Sequence, residues 1–240
     1  RKLRLPNSII GPTANCSQLD RFGFGDEEKR ACGLSLLEPP CTIFSIGSNN
    51  QWGFEEEAVR KTACRVMTFD CTVAKSTAPP RRLRERVSFF HACLVPDEAR
   101  VHDLAPTYAR GLPSFAQSAK PHITALMEHQ GPRWNWSTML HQTGMRCSPA
   151  YAKIDIEGME YPLLHSWLAT ARRDGATAAR LPPQLAFEMH TAPGGWRLHR
   201  HHLVSWFRGL FSQSTYLLLD RRKNGGCQHC DEILLARPDV

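Results

Sequence analysis

Residues 151–157 read Tyr-Ala-Lys-Ile-Asp-Ile-Glu, so on an extended strand Lys153, Asp155 and Glu157 share one face and Ile154 and Ile156 the other. A central parallel strand is ordinarily apolar on both faces, and unpaired buried charge is costly. Three charges in a row therefore need a reason. Residues 184–190 repeat the arrangement, with Ala186, Glu188 and His190 on one face and Leu185, Phe187 and Met189 on the other. If the two strands are neighbours, Asp155, Glu157, Glu188 and His190 converge on one cleft. Such a cluster can act as a general base whose pKa is tuned by burial and like charge, or as an oxygen- and nitrogen-ligand metal site. Base or positioning chemistry is the preferred reading, with no metal expected; a structural ion pair of Lys153 with Asp155 is the plain alternative.

A second group lies earlier. The run Cys41-Thr-Ile-Phe-Ser-Ile46 ends at Gly47-Ser48-Asn49-Asn50, the composition of a buried strand followed by a tight turn where backbone can approach a ligand. Asp70 follows Gly47 at close to the interval of about 20 residues at which an acid reaches the ribose hydroxyls of a bound nucleoside. Charge then selects among nucleoside cofactors. A dinucleotide sets its pyrophosphate on the first helix N-terminus, where this chain has Glu55, Glu56 and Glu57. S-adenosylmethionine carries no phosphate, and its sulfonium and ammonium tolerate carboxylates, so a methyl donor is favoured over NAD. The plainer role of the glutamates is to complement a helix dipole on a solvated face, which fits at least two of them.

The elements that must hold these groups follow an α/β order. Residues 1–40 mix Pro, Gly and charge without a sustained period and read as an irregular lead-in with at most a short helix. From residue 41 the order is strand 41–46, helix 54–63, strand 65–69 and strand 87–94, a succession that closes as right-handed parallel βαβ units. Six prolines fall between residues 95 and 149, which read as an insertion or lid. Strand 151–157, a helix through Leu163, Leu164 and Trp167, strand 184–190, a helix near 198–211 and closing strands at 215–219 and 232–236 complete residues 41–240 as one domain with a mainly parallel sheet.

Composition bounds the rest. The 240 residues are 42% apolar and 22% charged, which excludes collagen, coiled coil and wholesale disorder. No apolar stretch is long enough for a membrane span, and a chain starting at Arg1 reads as a domain cut from a longer protein. The net charge of +7 favours an anionic partner or surface. Its basic runs, Arg81-Arg82-Leu-Arg84-Glu-Arg86 and 197–202, lack interleaved aromatics, so they read as solvated faces and nucleic acid is not expected. Nine cysteines favour a luminal or secreted setting, with a staple near Cys16, Cys32 and Cys41; the lone Cys227-x-x-Cys230 has no second knuckle and points to a disulfide or thiols before zinc. Trp134 and Trp136 suit either a substrate pocket or ordinary packing.

These residues resemble the Rossmann-like S-adenosylmethionine-dependent methyltransferases, in particular the FkbM-like branch with its methyltransferase-like and methyltransferase-domain proteins. The likeness rests on Tyr151-Ala-Lys-Ile-Asp-Ile-Glu-Gly158, which looks like the branch's K-I-D-[IV]-E-G motif. Phe44-Ser-Ile-Gly47 with Trp52 and Phe54, Phe69-Asp70, Phe187-Glu-Met-His190, and Asn224 followed by Cys227 and Cys230 support it. It implies a Rossmann-like class I methyltransferase fold, a seven-stranded mainly parallel sheet with helices on both faces and an antiparallel last strand. It also implies S-adenosylmethionine at Gly47, Ser48, Asn49 and Asp70, and acceptor chemistry at Asp155, Glu157, Glu188 and His190. Where many members carry an acid two residues before the first glycine this chain has Ser45, and where they carry a second glycine it has Asn49. The leading expectation is methyl transfer to an oxygen of a small-molecule or glycan acceptor. The alternatives are a non-catalytic module on a degenerate methyltransferase fold that binds a polyanion through Arg81–Arg86, and an NAD-dependent oxidoreductase.

Overall fold

The computed structural model describes residues 14–96, 131–156, 160, 163, 164, 166, 167, 180–190, 216–225 and 230–237. The expected helix near 198–211, most of the 95–149 insertion, Glu157 and the side chain of His190 lie outside the described residues.

Seven strands form the central sheet: β3 (Thr42–Ile46), β4 (Arg65–Phe69), β5 (Val87–Phe90), β8 (Tyr151–Ile154), β9 (Gln184–His190), β10 (Leu217–Lys223) and β11 (Cys230–Ala236). Their spatial order is β10-β11-β9-β8-β3-β4-β5. The pairs β3/β4, β4/β5, β3/β8 and β8/β9 are parallel, while β11 runs antiparallel to both β9 and β10. This is the Rossmann-like class I methyltransferase arrangement, and its order reverses between β3 and β8, where an open α/β sheet leaves a crevice beyond its carboxyl ends.

Alternation along the strands sorts two cores. On one face Phe44, Ile46, Ala152, Ile154 and Phe187 pack against Leu163, Leu164 and Trp167 of a helical segment and against Trp136, Met139 and Leu140 of α2 (Trp136–Gln142). On the other, Ile43, Val66, Tyr151, Ala186 and Leu234 meet Phe54 and Ala58 of α1 (Gly53–Lys61).

That second face also carries a hairpin in the segment expected to be irregular, β1 (Leu19–Phe22) paired antiparallel with β2 (Lys29–Cys32). Phe22, Ala31 and Leu34 enter the core beside α1. The four-residue sequences Leu-Asp-Arg-Phe and Lys-Arg-Ala-Cys show too little apolar alternation to read as strands; tertiary bonds fix them instead. Cys32 exchanges two 2.7 Å hydrogen bonds with the side-chain amide of Gln184, and the Tyr151 hydroxyl donates to the Arg30 carbonyl at 3.0 Å.

Two strands are shorter than expected. The ladder on β5 stops at Phe90, where Ala92 N–H turns back to the Phe90 carbonyl; β6 (Cys93–Leu94) then pairs with β7 (Arg133–Trp134) as a separate ribbon. The β8 ladder ends at Ile154, although Asp155 N–H still donates to the Ile46 carbonyl at 2.9 Å.

Disulfides join Cys16 to Cys32, Cys41 to Cys64 and Cys71 to Cys93. Cys230 is also disulfide-bonded, which takes it out of consideration as a zinc ligand. Among the described residues no helix is long and apolar enough to cross a membrane.

Candidate functional site

The turn after β3 is built around one carboxylate. Gly47 has φ +79°, and Asn49 and Asn50 also take positive φ, 47° and 58°. This winding points successive amides inward as an anion-binding concavity. The occupant is Asp70 at the end of β4, whose Oδ2 accepts from Ser48 N at 2.9 Å and Asn49 N at 2.6 Å. Its Oδ1 accepts from the Thr72 amide at 2.7 Å and the Thr72 hydroxyl at 2.6 Å. A carboxylate offers about four lone-pair sites, so these four bonds use its capacity. Gly47 has a reason of its own. A Cβ there would lie 1.6 Å from the Asp155 carbonyl oxygen, so only glycine lets the ends of β3 and β8 meet. The Lys153 ammonium donates to the Gly47 carbonyl. The alternative reading of the charged strand, an ion pair of Lys153 with Asp155, is not what the structure shows.

Asp155 pairs instead with Lys29 of the hairpin, Nζ to Oδ2 3.3 Å, and Lys29 also donates to Glu232 Oε1 at 2.7 Å. Glu188 and Glu232 stand opposite each other on β9 and β11. Asn224 ties them, its Nδ2 donating to Glu188 Oε1 at 2.8 Å and Glu232 Oε1 at 3.1 Å. Asp155, Glu188 and Glu232 thus form a row across three strands with one ammonium set into it. Burial works against the Lys29 charge, yet Asp155, Glu232 and Glu188 outweigh it and hold its pKa above the ordinary lysine value. Burial raises the pKa of Glu232, and Asp155 adds to that, against the opposing pull of Lys29. Asp155 is the member that reaches solvent, its side chain 20% exposed against 5% for Glu232. Among the described residues no group of three His, Cys, Asp or Glu is arranged to hold a metal ion.

The three helix glutamates also depart from expectation. Only Glu56 is solvated, and it pairs with Arg82. Glu55 is buried against β4, where it accepts from the Thr68 hydroxyl at 3.0 Å; burial pushes its pKa up, with Lys153 pulling it down. Glu57 is clamped by Arg60 and Lys61, which hold its pKa down to about 2. The N-terminus of α1 is filled from elsewhere: Gly53 N donates to Glu27 Oε2 at 2.8 Å. A carboxylate of the chain itself stands where a dinucleotide would set its pyrophosphate.

The basic loop serves the fold. Arg86 donates to the carbonyls of Val59, Thr62 and Cys64 at the C-terminal end of α1, and Arg84 to the Pro79 carbonyl. Trp136 is buried against Phe44 and Trp167, and the partly buried Trp134 packs on Phe69 and Phe90 at the core's edge.

The structure therefore brings Gly47, Ser48, Asn49 and Asp70 together, and sets Asp155 beside Glu188 at the same end of the sheet. Lys29, Glu27 and Glu232 escaped the reading of the sequence. The first two sit in a segment without periodicity; Glu232 could have been found as the residue facing Glu188 once the last strand is taken as antiparallel.

No protein-family model and no curated protein matches the sequence. Among solved structures it is similar to the Methanococcus jannaschii fibrillarin pre-rRNA processing protein, 8% identical with TM-score 0.41, covering 95% of this chain and 86% of that one. It is also similar to an O-methyltransferase family 2 protein from Planctomyces limnophilus solved with apigenin (11%, TM-score 0.39, 82% and 49%) and to TrmN from Thermus thermophilus (12%, TM-score 0.35, 85% and 46%). The chain spans about half the length of the latter two. The fold assignment rests on strand order and direction, not on these likenesses.

Proposed function

We propose that this chain is an S-adenosylmethionine-dependent methyltransferase of the FkbM-like branch that methylates an oxygen of a small-molecule or glycan acceptor in an oxidising compartment. The observation that carries this reading is the Glu27 carboxylate on the α1 N-terminus. On a sheet of this topology it disfavours a pyrophosphate and suits a cationic, phosphate-free nucleoside. The residues at the turn fit such a group. The Ser48 hydroxyl is buried without a hydrogen-bond partner among the described residues, and the Thr72 hydroxyl on Asp70 can be exchanged for a ribose hydroxyl.

In this reading Gly47, Ser48, Asn49 and Asp70 hold the cofactor, which supplies a methyl group on a positively charged sulfur. Asp155 takes the acceptor's proton, oriented by its ion pair with Lys29. Glu188 acts through Asn224 to hold the carboxylate row in place, and Glu157 and His190 are assigned to the acceptor side. Rate would come mainly from positioning.

Titration calorimetry with S-adenosylmethionine and S-adenosylhomocysteine tests the proposal. Saturable heat is expected, lost in Asp70→Asn, with no thermal protection by millimolar NAD. Folded wild-type protein giving no heat with either ligand would overturn it.

A further inference from the structure

Asn15-Cys16-Ser17 and Asn135-Trp136-Ser137 each set a serine two residues after an asparagine with no proline between, the acceptor pattern for N-linked glycosylation. The structure separates the two. Asn135 caps α2, its Oδ1 accepting from Thr138 N at 2.8 Å, and Trp136 beside it is buried in the aromatic cluster. Asn15 and Ser17 are both exposed, on the irregular backbone that leads into β1. We infer that Asn15 is a site of N-linked glycosylation and that Asn135 is not.

The disulfides are the second observation, because bridges of this number persist in the oxidising lumen where such transfer occurs. The inference rests on that compartment. The donor is a lipid-diphosphate-linked oligosaccharide. The bond from its anomeric carbon to the diphosphate oxygen breaks, the anomeric carbon bonds to Asn15 Nδ2, one amide proton goes to the transferase's base, and the lipid diphosphate leaves. The location is compatible with the proposed activity. Cys32, bridged to Cys16, binds Gln184 at the start of β9, whereas Glu27 at the hairpin's other end binds Gly53 beside the crevice. Asn15, next to that bridge, therefore lies toward the amino end of the parallel strands, at the other end of the hairpin from Glu27.

The test sends the chain through the secretory pathway of mammalian cells behind a signal peptide and confirms the bridges by non-reducing peptide mapping. Peptide N-glycosidase digestion in heavy-oxygen water is expected to leave labelled aspartate at position 15 and none at position 135. Ser17→Ala should abolish the label and Ser17→Thr keep it, while both leave the Cys16–Cys32 bridge intact. Disulfide-bonded protein without label at position 15, or with label at position 135, would overturn the inference. Reduced cysteines in the chain isolated from its own cells would defeat the compartment reading and, with it, the assignment of Asn15 as a site used in those cells.

Discussion

Gly47 and Lys29 are single residues on which neighbouring chemistry depends. At Gly47 a side chain meets both a positive φ and the backbone of Asp155. Gly47→Ala should therefore cost about 3 kcal/mol or more in chemical denaturation; a loss under about 1 kcal/mol would show that the β3–β8 contact yields. Lys29 is the cation in a row of three carboxylates. Removing it in Lys29→Met leaves those charges buried and uncompensated, a loss of about 3–5 kcal/mol at neutral pH. The sign with pH follows from Glu232, whose folded pKa lies above its ordinary 4.5. The folded state holds that proton more tightly, so its burial costs stability above pH 4.5 and the cost recedes as pH falls. The Lys29→Met deficit should shrink between pH 7 and pH 4.5, as read by denaturant midpoints. In the wild type, Lys29 contributes fully below its ordinary 10.5 and loses its contribution as pH rises beyond that value; Lys29→Met should lack this alkaline loss. A deficit constant with pH would refute the electrostatic account.

Helix α1 draws its terminal partners from distant elements, Glu27 at one end and Arg86 at the other. Trp52 at the cap position offers no side-chain bond, so Glu27→Ala should cost about 1 kcal/mol, as loss of a native cap does. A larger loss in dinucleotide exclusion than in stability would show as new NAD protection in thermal shifts. This dependence on remote groups marks what the sequence could and could not show. The five parallel strands and α1 were legible because residues such as Ile43, Phe44, Val66, Phe69 and Ile154 fall in short β-branched and aromatic runs, although the runs at 87–94 and 151–157 extend past ladders that stop at Phe90 and Ile154. The turn after β3 was legible for the same reason, since a buried strand must end where its ladder ends. The hairpin was not, because Phe22, Lys29 and Ala31 are fixed by the sheet beneath them and by no period of their own. The charged strand was recognised as unusual, but its partner could not be read. Lys153 was the nearer cation in sequence, whereas the fold supplies Lys29, 126 positions from Asp155, through tertiary packing.

For the molecule as a whole, two of the disulfides allow stability and ligand binding to be told apart. Cys41–Cys64 and Cys71–Cys93 span sequence separations of 23 and 22. On loop-closure entropy alone each should contribute about 3 kcal/mol, and removal of either should lower the denaturant midpoint equally. Their positions differ in consequence. Cys41–Cys64 ties the start of β3 to the residue preceding β4, behind α1, whereas Cys71 directly follows Asp70 and its bridge anchors that carboxylate's loop to β6. Cys71→Ala/Cys93→Ala should therefore also weaken S-adenosylmethionine binding by about tenfold, ~1.4 kcal/mol, while Cys41→Ala/Cys64→Ala leaves it unchanged at temperatures where both variants are folded. Calorimetric affinity measured beside thermal unfolding separates the two effects. Equal affinities in the two double variants would show that the loop after Asp70 keeps its shape without the bridge, and the Gly47 turn would then owe its geometry to the Ser48, Asn49 and Thr72 hydrogen bonds alone.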